Sequence, residues 1–322
     1  MLRSLSACVV TAVVAAAVGS ASPSRAASGL GPVIVEPDQG YAPIYALLSS
    51  AKRSLDLTMY EFRDPQAQQA LIADAARGVK VRVLLNQAFE GRDYNTPVYN
   101  ALKAGGVAVA WSSTKVSITH QKSFVIDQAR AVIMTGNLTS VYYKTSRDYA
   151  VVDTKAKDVA AIEGTFALDW ANAAGTPATG ADLVWSPGAA TKLVGLIASA
   201  KHTLYVENEE MQEPAIVSAL AAAAKRGVLV DVLMTDQTSW HANFNVLKAA
   251  GVHVRTFAAS APLYIHAKAI AVDSGRVFVG SQNFSAHSLD ENRELGLITP
   301  TKTVVTSVQT TFLKDFGAAT PW

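Results

Sequence analysis

The sequence predicts an α/β fold of two homologous halves, each a mixed, mostly parallel sheet flanked by helices. Three observations lead there. The chain repeats itself: "ALLSSAKRSLDLTMYEFRDP" from Ala46 is echoed by "GLIASAKHTLYVENEEMQEP" from Gly195, and "AARGVKVRVLL" from Ala75 by "AAKRGVLVDVLM" from Ala223. "ALKAGGVAV" from Ala101 returns as "VLKAAGVHV" from Val246 and "FALDW" from Phe166 as "FLKDF" from Phe312, all in one order at offsets of 145 to 149 residues. Within each half, helical and strand patterns alternate. Finally, 322 residues with 50% apolar content are enough to bury a core in each half.

The first element is not part of the repeat. Arg3, an apolar run from Ala7 to Val18 and then small residues read as a cleavable signal peptide over residues 1–27, with cleavage after Ala21, Ala26 or Ala27 and a secreted or periplasmic product. That run is far short of the roughly 20 residues of a membrane-spanning helix. Cys8, the only cysteine, leaves with it, which excludes disulfides and thiol chemistry. Arg3 and Arg25 also leave if the cut follows Ala26 or Ala27, so the formal charge falls from +2 to zero. A nonspecific nucleic-acid binder carries a basic excess, so nucleic acid is the less favoured ligand.

In the first half, 44–51 fits a helix and 55–60 a strand. A helix over 66–77, closed by Gly78, leads to a continuous apolar strand over 79–85 of the kind buried on both faces. "VYNALKAGG" gives a further helix and 107–111 a strand. The Gly- and Pro-rich stretch 172–190 reads as the connection, dividing the chain into halves 28–172 and 173–322. Two sheets side by side are expected.

The polar residues repeat as well. "HQKSFVIDQARAVIMTGN" (120–137) aligns with "HAKAIAVDSGRVFVGSQN" (266–283), so His120, Lys122, Asp127 and Asn137 meet His266, Lys268, Asp273 and Asn283 at a constant offset of 146. Residues two apart on a strand share a face, about 7 Å apart, so each histidine projects beside its lysine. One such pair alone is best explained as a solvated edge strand. Two copies in register, each with Asp and Asn at fixed distances, are not. An acidic residue follows each histidine by 28 positions: Asp148 in "SRDYAVV" and Glu294 in "NRELGLI".

HxKxxxxDxxxxxxGSxN carried twice in one chain resembles the signature of the phospholipase D superfamily, and the second copy matches every specified position. The resemblance implies a phospholipase D fold with the two motifs brought together where the halves meet. It implies phosphodiester cleavage through a covalent phosphohistidine, one histidine attacking phosphorus and the other acting as general acid and then base, without metal or other cofactor. Catalytic residues are then His120, Lys122, Asp127, His266, Lys268 and Asp273, although a structural role in the strand turn suits the two aspartates better. Lys122 and Lys268 would hold the nonbridging oxygens. Asn137, Asn283, Ser281 and Thr135 would support the site, and Asp148 and Glu294 would fix the histidine rings. Which histidine attacks is left open. The function implied is a secreted phospholipase D acting on glycerophospholipids, with transfer of the phosphatidyl group to alcohols as a side activity, as a monomer in transient contact with a membrane surface; an exported endonuclease is the alternative.

His202, His241, His253 and His287 lie outside the motifs and are expected to be noncatalytic. Phe89, Tyr94, Trp240 and Phe244, in the long loops after the central strands, are candidates for the substrate mouth, and Tyr142 and Tyr143 for a lipid interface. Met134 and Thr135 stand where the second copy has Gly280 and Ser281, so the halves are not interchangeable, and Ser281 is expected to matter more than Thr135.

Overall fold

The computed structural model describes residues 29–322; the expected signal peptide lies outside the described residues. Two sheets carry the same seven-strand order. In the first the order is Leu30–Glu36, Ser146–Asp153, Arg130–Met134, Ser123–Ile126, Ser54–Met59, Lys80–Leu85 and Ala108–Trp111. In the second it is Leu183–Ser186, Glu294–Thr299, Arg276–Gly280, Ala269–Val272, Thr203–Glu207, Leu229–Thr235 and His253–Phe257, with Thr320–Pro321 added at the edge.

The sheets are mixed, but antiparallel pairs outnumber parallel ones. Among the seven ordered strands of the first, the pairs of Lys80–Leu85 with Ser54–Met59 and with Ala108–Trp111 are parallel and the other four antiparallel. The helix–strand alternation that suggested parallel strands covers just the opening of each half. In the remainder each half has one tight turn, from Ser123–Ile126 to Arg130–Met134 and from Ala269–Val272 to Arg276–Gly280, and such a turn can link only antiparallel strands. Asp127 and Gln128, like Asp273 and Ser274, take positive φ at these turns.

Most predicted elements form where expected. The helix Pro65–Ala76 begins at Asp64, whose carboxylate accepts from the amides of Gln66 and Ala67, and the chain leaves it through Gly78 at φ +91°. The connection is shorter than expected. Residues 183–186 form the first strand of the second sheet and the helix Ala189–Ala198 follows directly, so only 171–182 is irregular. Four residues read as linker, three of them apolar, thus gain a full ladder against the Glu294–Thr299 strand.

Each sheet buries one face under its own helices, around Leu57, Val83 and Phe124 in the first half and Val206, Val232 and Phe278 in the second. The other faces share a core, in which Val125, Ile133 and Val151 meet Ala269, Val277 and Leu295. The helices Ala156–Trp170 and Lys302–Ala318 supply Val159, Ile162, Val304 and Val308 to it. No helix among the described residues is long and apolar enough to cross a membrane.

Candidate active site

The motif segments enter the site just before the strands Ser123–Ile126 and Ala269–Val272, and each is pinned to the opposite half. The His120 amide donates to the Arg293 carbonyl at 2.9 Å, and the Arg293 amide to the Ile118 carbonyl at 2.8 Å. Correspondingly, Tyr264–Ile265 pairs in parallel with Ser146–Arg147. Each histidine therefore lies beside the other half's carboxylate. His120 Nδ1 is 2.9 Å from Glu294 Oε2, and His266 Nδ1 is 2.9 Å from Asp148 Oδ1.

The equal 28-residue spacing marked both carboxylates but did not say which ring each one serves. With Nδ1 engaged, the Nε2 edge of each imidazole is left for the cavity. Burial drives the His120 imidazole down to about 4, with Glu294 opposing, so the ring is neutral at ordinary pH. Burial works against ionisation of Glu294 as well, but His120 and Lys122 outweigh it and hold the carboxyl below its usual range.

Both lysines are fully buried. Lys122 Nζ donates to the His120 carbonyl at 2.6 Å and lies 4.9 Å from the centre of the Tyr60 ring. Burial pushes this ammonium down to about 7. Lys268 Nζ donates to the His266 carbonyl and, at 3.0 Å, to Glu209 Oε2.

The hydroxyls hold the carboxylates. Thr135 Oγ1 donates to Asp148 Oδ1 at 2.5 Å, and Ser281 Oγ to Glu294 Oε2 at 2.6 Å. Glu294 also accepts from Ser288 and Asn292. Asn137 and Asn283 face the cavity and direct their amides toward Glu61 at 3.5 Å and Glu210 at 3.2 Å.

Asp127 and Asp273 do not join this centre. They sit at the far ends of their strands, where Asp127 accepts from the amides of Lys52, Arg53 and Ser54, and Asp273 from those of Lys201, His202 and Thr203. These bonds tie the turn to the start of the central strand, and placing the two aspartates with the catalytic residues is corrected accordingly.

Four functional elements escaped sequence reading. Arg147 forms a buried ion pair with Asp315 at 2.6 Å, and Arg293 one with Asp169 at 2.9 Å. Each joins the residue before one half's carboxylate to the helix that closes the other half. The signal was present, since Asp169 and Asp315 belong to the repeated "FALDW" and "FLKDF" and both pairs keep the offset of 146. The other two are Tyr60 with Glu61 and, equivalent at an offset of 149, Glu209 with Glu210. Their chemistry differs, so the repeat concealed them. Tyr60 meets the His120 ring edge-on with centroids 4.5 Å apart, whereas Glu209 Oε2 lies 3.5 Å from His266 Nε2.

Of the set-aside histidines, His241 contacts Asp236 and His253 contacts Asp231 away from the site, whereas His287, paired with Glu291, borders it on the His120 side. Trp240 and Phe244 are buried in the second core rather than at the mouth. Tyr94 lies under the Arg63 guanidinium, 4.0 Å from its ring centre. Phe89 and Tyr142 do border the site.

The family model for the cardiolipin synthase, PLD-like domain matches residues 44–170 and 193–316, most of the chain and both motifs. The chain belongs to the phospholipase D superfamily. Members of this superfamily are phosphodiesterases and phospholipid-modifying enzymes. Mitochondrial cardiolipin hydrolase of Xenopus tropicalis is 32% identical over 135 residues, which are 41% of this chain and 62% of that protein. The superfamily fold recurs in phosphatidylserine synthase of Haemophilus influenzae, with a TM-score of 0.69 at 12% identity over 92% of this chain and 89% of that one. Polyphosphate kinase of Porphyromonas gingivalis gives 0.68 at 16% identity over 86% of this chain and 46% of its own. At those identities the likeness is one of fold.

Proposed function

We propose that this protein is a secreted phospholipase D that hydrolyses glycerophospholipids to phosphatidate and a headgroup alcohol. The observation that carries the choice of lipid is the character of the cavity. Its walls, enclosing about 690 Å³ around the motif histidines, include no arginine or lysine. A polyanionic strand would meet Glu61, Asp148, Glu209 and Glu210 there instead of phosphate-binding cations. At the rim stand exposed aromatic side chains, Phe89 at 79% and Tyr142 at 52% exposure, suited to an acyl or interfacial surface. The superfamily assignment and the relatives' phospholipid-modifying names point the same way.

In the mechanism that fits this site, His120 is the nucleophile. Burial keeps it neutral, and Glu294 holds its Nδ1 proton so that the Nε2 lone pair faces phosphorus. His266, with carboxylates at both ring nitrogens, takes the part of general acid. It protonates the departing alkoxide and later takes the proton of the water that releases phosphatidate. Lys122 and Lys268 balance the charge on the nonbridging oxygens.

The test incubates purified protein with phosphatidylcholine vesicles and with plasmid DNA in parallel. Headgroup release without nicking is expected, and nicking without headgroup release refutes the lipid reading. His120→Ala and His266→Ala should each lower turnover by about 10⁴-fold or more. A phosphohistidine trapped by a denaturing quench at alkaline pH should map to residue 120 and accumulate in His266→Ala.

A further inference from the structure

The phosphate-binding groups of the second half are already engaged by a side chain of the protein. Glu209 Oε2 lies 3.0 Å from Lys268 Nζ, 3.3 Å from Asn283 Nδ2 and 3.5 Å from His266 Nε2, and Glu209 Oε1 accepts from the Tyr264 hydroxyl at 3.1 Å. Those three nitrogens are the donors a nonbridging phosphate oxygen needs. In the first half the equivalent position is Tyr60, and no carboxylate takes Lys122. A phosphodiester that settles on both lysines must therefore displace the Glu209 carboxylate, which then needs a new cation.

The cavity offers none of its own. Apart from the motif histidines its charged wall residues are all acidic, and the remaining large ones are tyrosines, among them Tyr41, Tyr60, Tyr143 and Tyr264. Glu61 and Glu210 add carboxylates on either side, Glu61 held by a long bond from Asn137 and Glu210 by bonds from Asn283 and Gln212. Asn283, 6% exposed, also leaves its Oδ1 in this wall without a partner. Carboxylates beside tyrosine faces form the recognised cage for an ammonium group. A diester with an ammonium a few bonds from its phosphate returns a cation to Glu209 as it takes Lys268, whereas an anionic or neutral headgroup leaves the carboxylate unpaired next to phosphate.

We propose that Glu209, flanked by Glu61, Glu210 and the wall tyrosines, is a subsite for the ammonium of a zwitterionic headgroup and selects amino-alcohol diesters over glycerol or polyglycerol ones. This rests on the phosphodiesterase reading of the same cavity, and the experiment separates the two. Hydrolysis of bis(p-nitrophenyl) phosphate reports the phosphodiesterase centre, and choline and its neutral isostere 3,3-dimethyl-1-butanol are compared as inhibitors of it. Choline should inhibit at a concentration lower by about tenfold or more. Equal inhibition overturns the subsite while leaving the phosphodiesterase reading intact.

In mixed micelles, kcat/KM for phosphatidylcholine or phosphatidylethanolamine should exceed that for phosphatidylglycerol by about tenfold or more. Glu209→Gln, with Glu61→Gln as a second variant and folding followed by circular dichroism, should collapse that ratio. If Glu209→Gln raises turnover of all three lipids by one factor, Glu209 merely competes for Lys268 and the proposal fails. If no lipid is cleaved while choline still discriminates on the small diester, the lipid reading fails and the ammonium subsite stands.

Discussion

The two halves share a framework and differ at the walls. Bonds that fix the catalytic geometry come in matched pairs: His120 with Glu294 and His266 with Asp148, Arg147 with Asp315 and Arg293 with Asp169, Thr135 with Asp148 and Ser281 with Glu294. Next to them the halves diverge. Tyr60 faces Glu209, and Glu36 at the end of the first sheet's edge strand faces Ser186 in the second. Near the hydroxyls the bulk has moved along the chain, from Met134 and Gly136 in one half to Gly280 and Gln282 in the other. In the second half Gly280 pairs with Gly296, and the Phe278 ring and the Gln282 side chain fill the space above them. In the first half Val132 and Ala150 stand at the equivalents of Phe278 and Gly296, leaving room for Met134. Duplication has thus preserved what both centres need and freed what only one of them uses.

The crossed pairing is the part of this comparison most open to attack. Asp148→Asn and Glu294→Gln should each cost about 10²- to 10³-fold in kcat, because each removes the acceptor that sets a ring's tautomer. Nitrogen-15 spectra of the imidazoles should show Glu294→Gln perturbing His120 and Asp148→Asn perturbing His266. A perturbation confined to the histidine of the same half would break the assignment.

Packing comes next. A methyl at residue 280 would come within 2.6 Å of the Gly296 Cα and 2.8 Å of the Phe278 Cζ, so Gly280→Ala should lower stability by about 2–3 kcal/mol in urea titrations. Phe278→Val, which copies the first half, should recover part of it in the double variant; strict additivity would show that the two positions are independent.

The edge-strand difference gives a pH test. Glu36 is 2% exposed with both carboxyl oxygens unpartnered, and burial, aided by the Asp148 charge, raises its carboxyl to about 7. A raised acid favours the fold while it is protonated. The stability it leaves intact below about 4.5, the unfolded value, is lost as pH climbs to about 7. Glu36→Gln should therefore add about 2 kcal/mol at pH 8 and almost nothing at pH 4, and a gain that does not vary with pH would refute the linkage.

The smallest effect concerns the hydroxyls, where the structure reverses the sequence-based ranking. Glu294 has three side-chain donors besides His120, in Ser281, Ser288 and Asn292, whereas Thr135 is the one side-chain donor beside His266 on Asp148. Thr135→Ala should cost about tenfold in kcat, in line with one lost bond to a charged group, and Ser281→Ala less. Greater loss in Ser281→Ala would restore the original order.

The duplicated architecture, its central strands and the residues of the two motifs were legible because a repeat in register is a stronger signal than any single propensity. The sheet polarity was less so. "FVIDQARAVIM" is uniformly apolar on either side of its turn, and the tight turn that forces an antiparallel return is carried by Asp127 and Gln128 at positive φ. The crossing of carboxylates was not legible at all, because equal spacing within each half is compatible with pairing inside a half or between halves. Tyr60 and Glu209 were hidden for the opposite reason, their identities having diverged where the surrounding pattern had not.

The crossed bonds also bear on when chemistry becomes available. A chain that has folded only its first half has His120 without Glu294, Asp148 without His266 and Arg147 without Asp315. Neither half alone holds a histidine together with its carboxylate, so competence arrives in one event, the docking of the two halves.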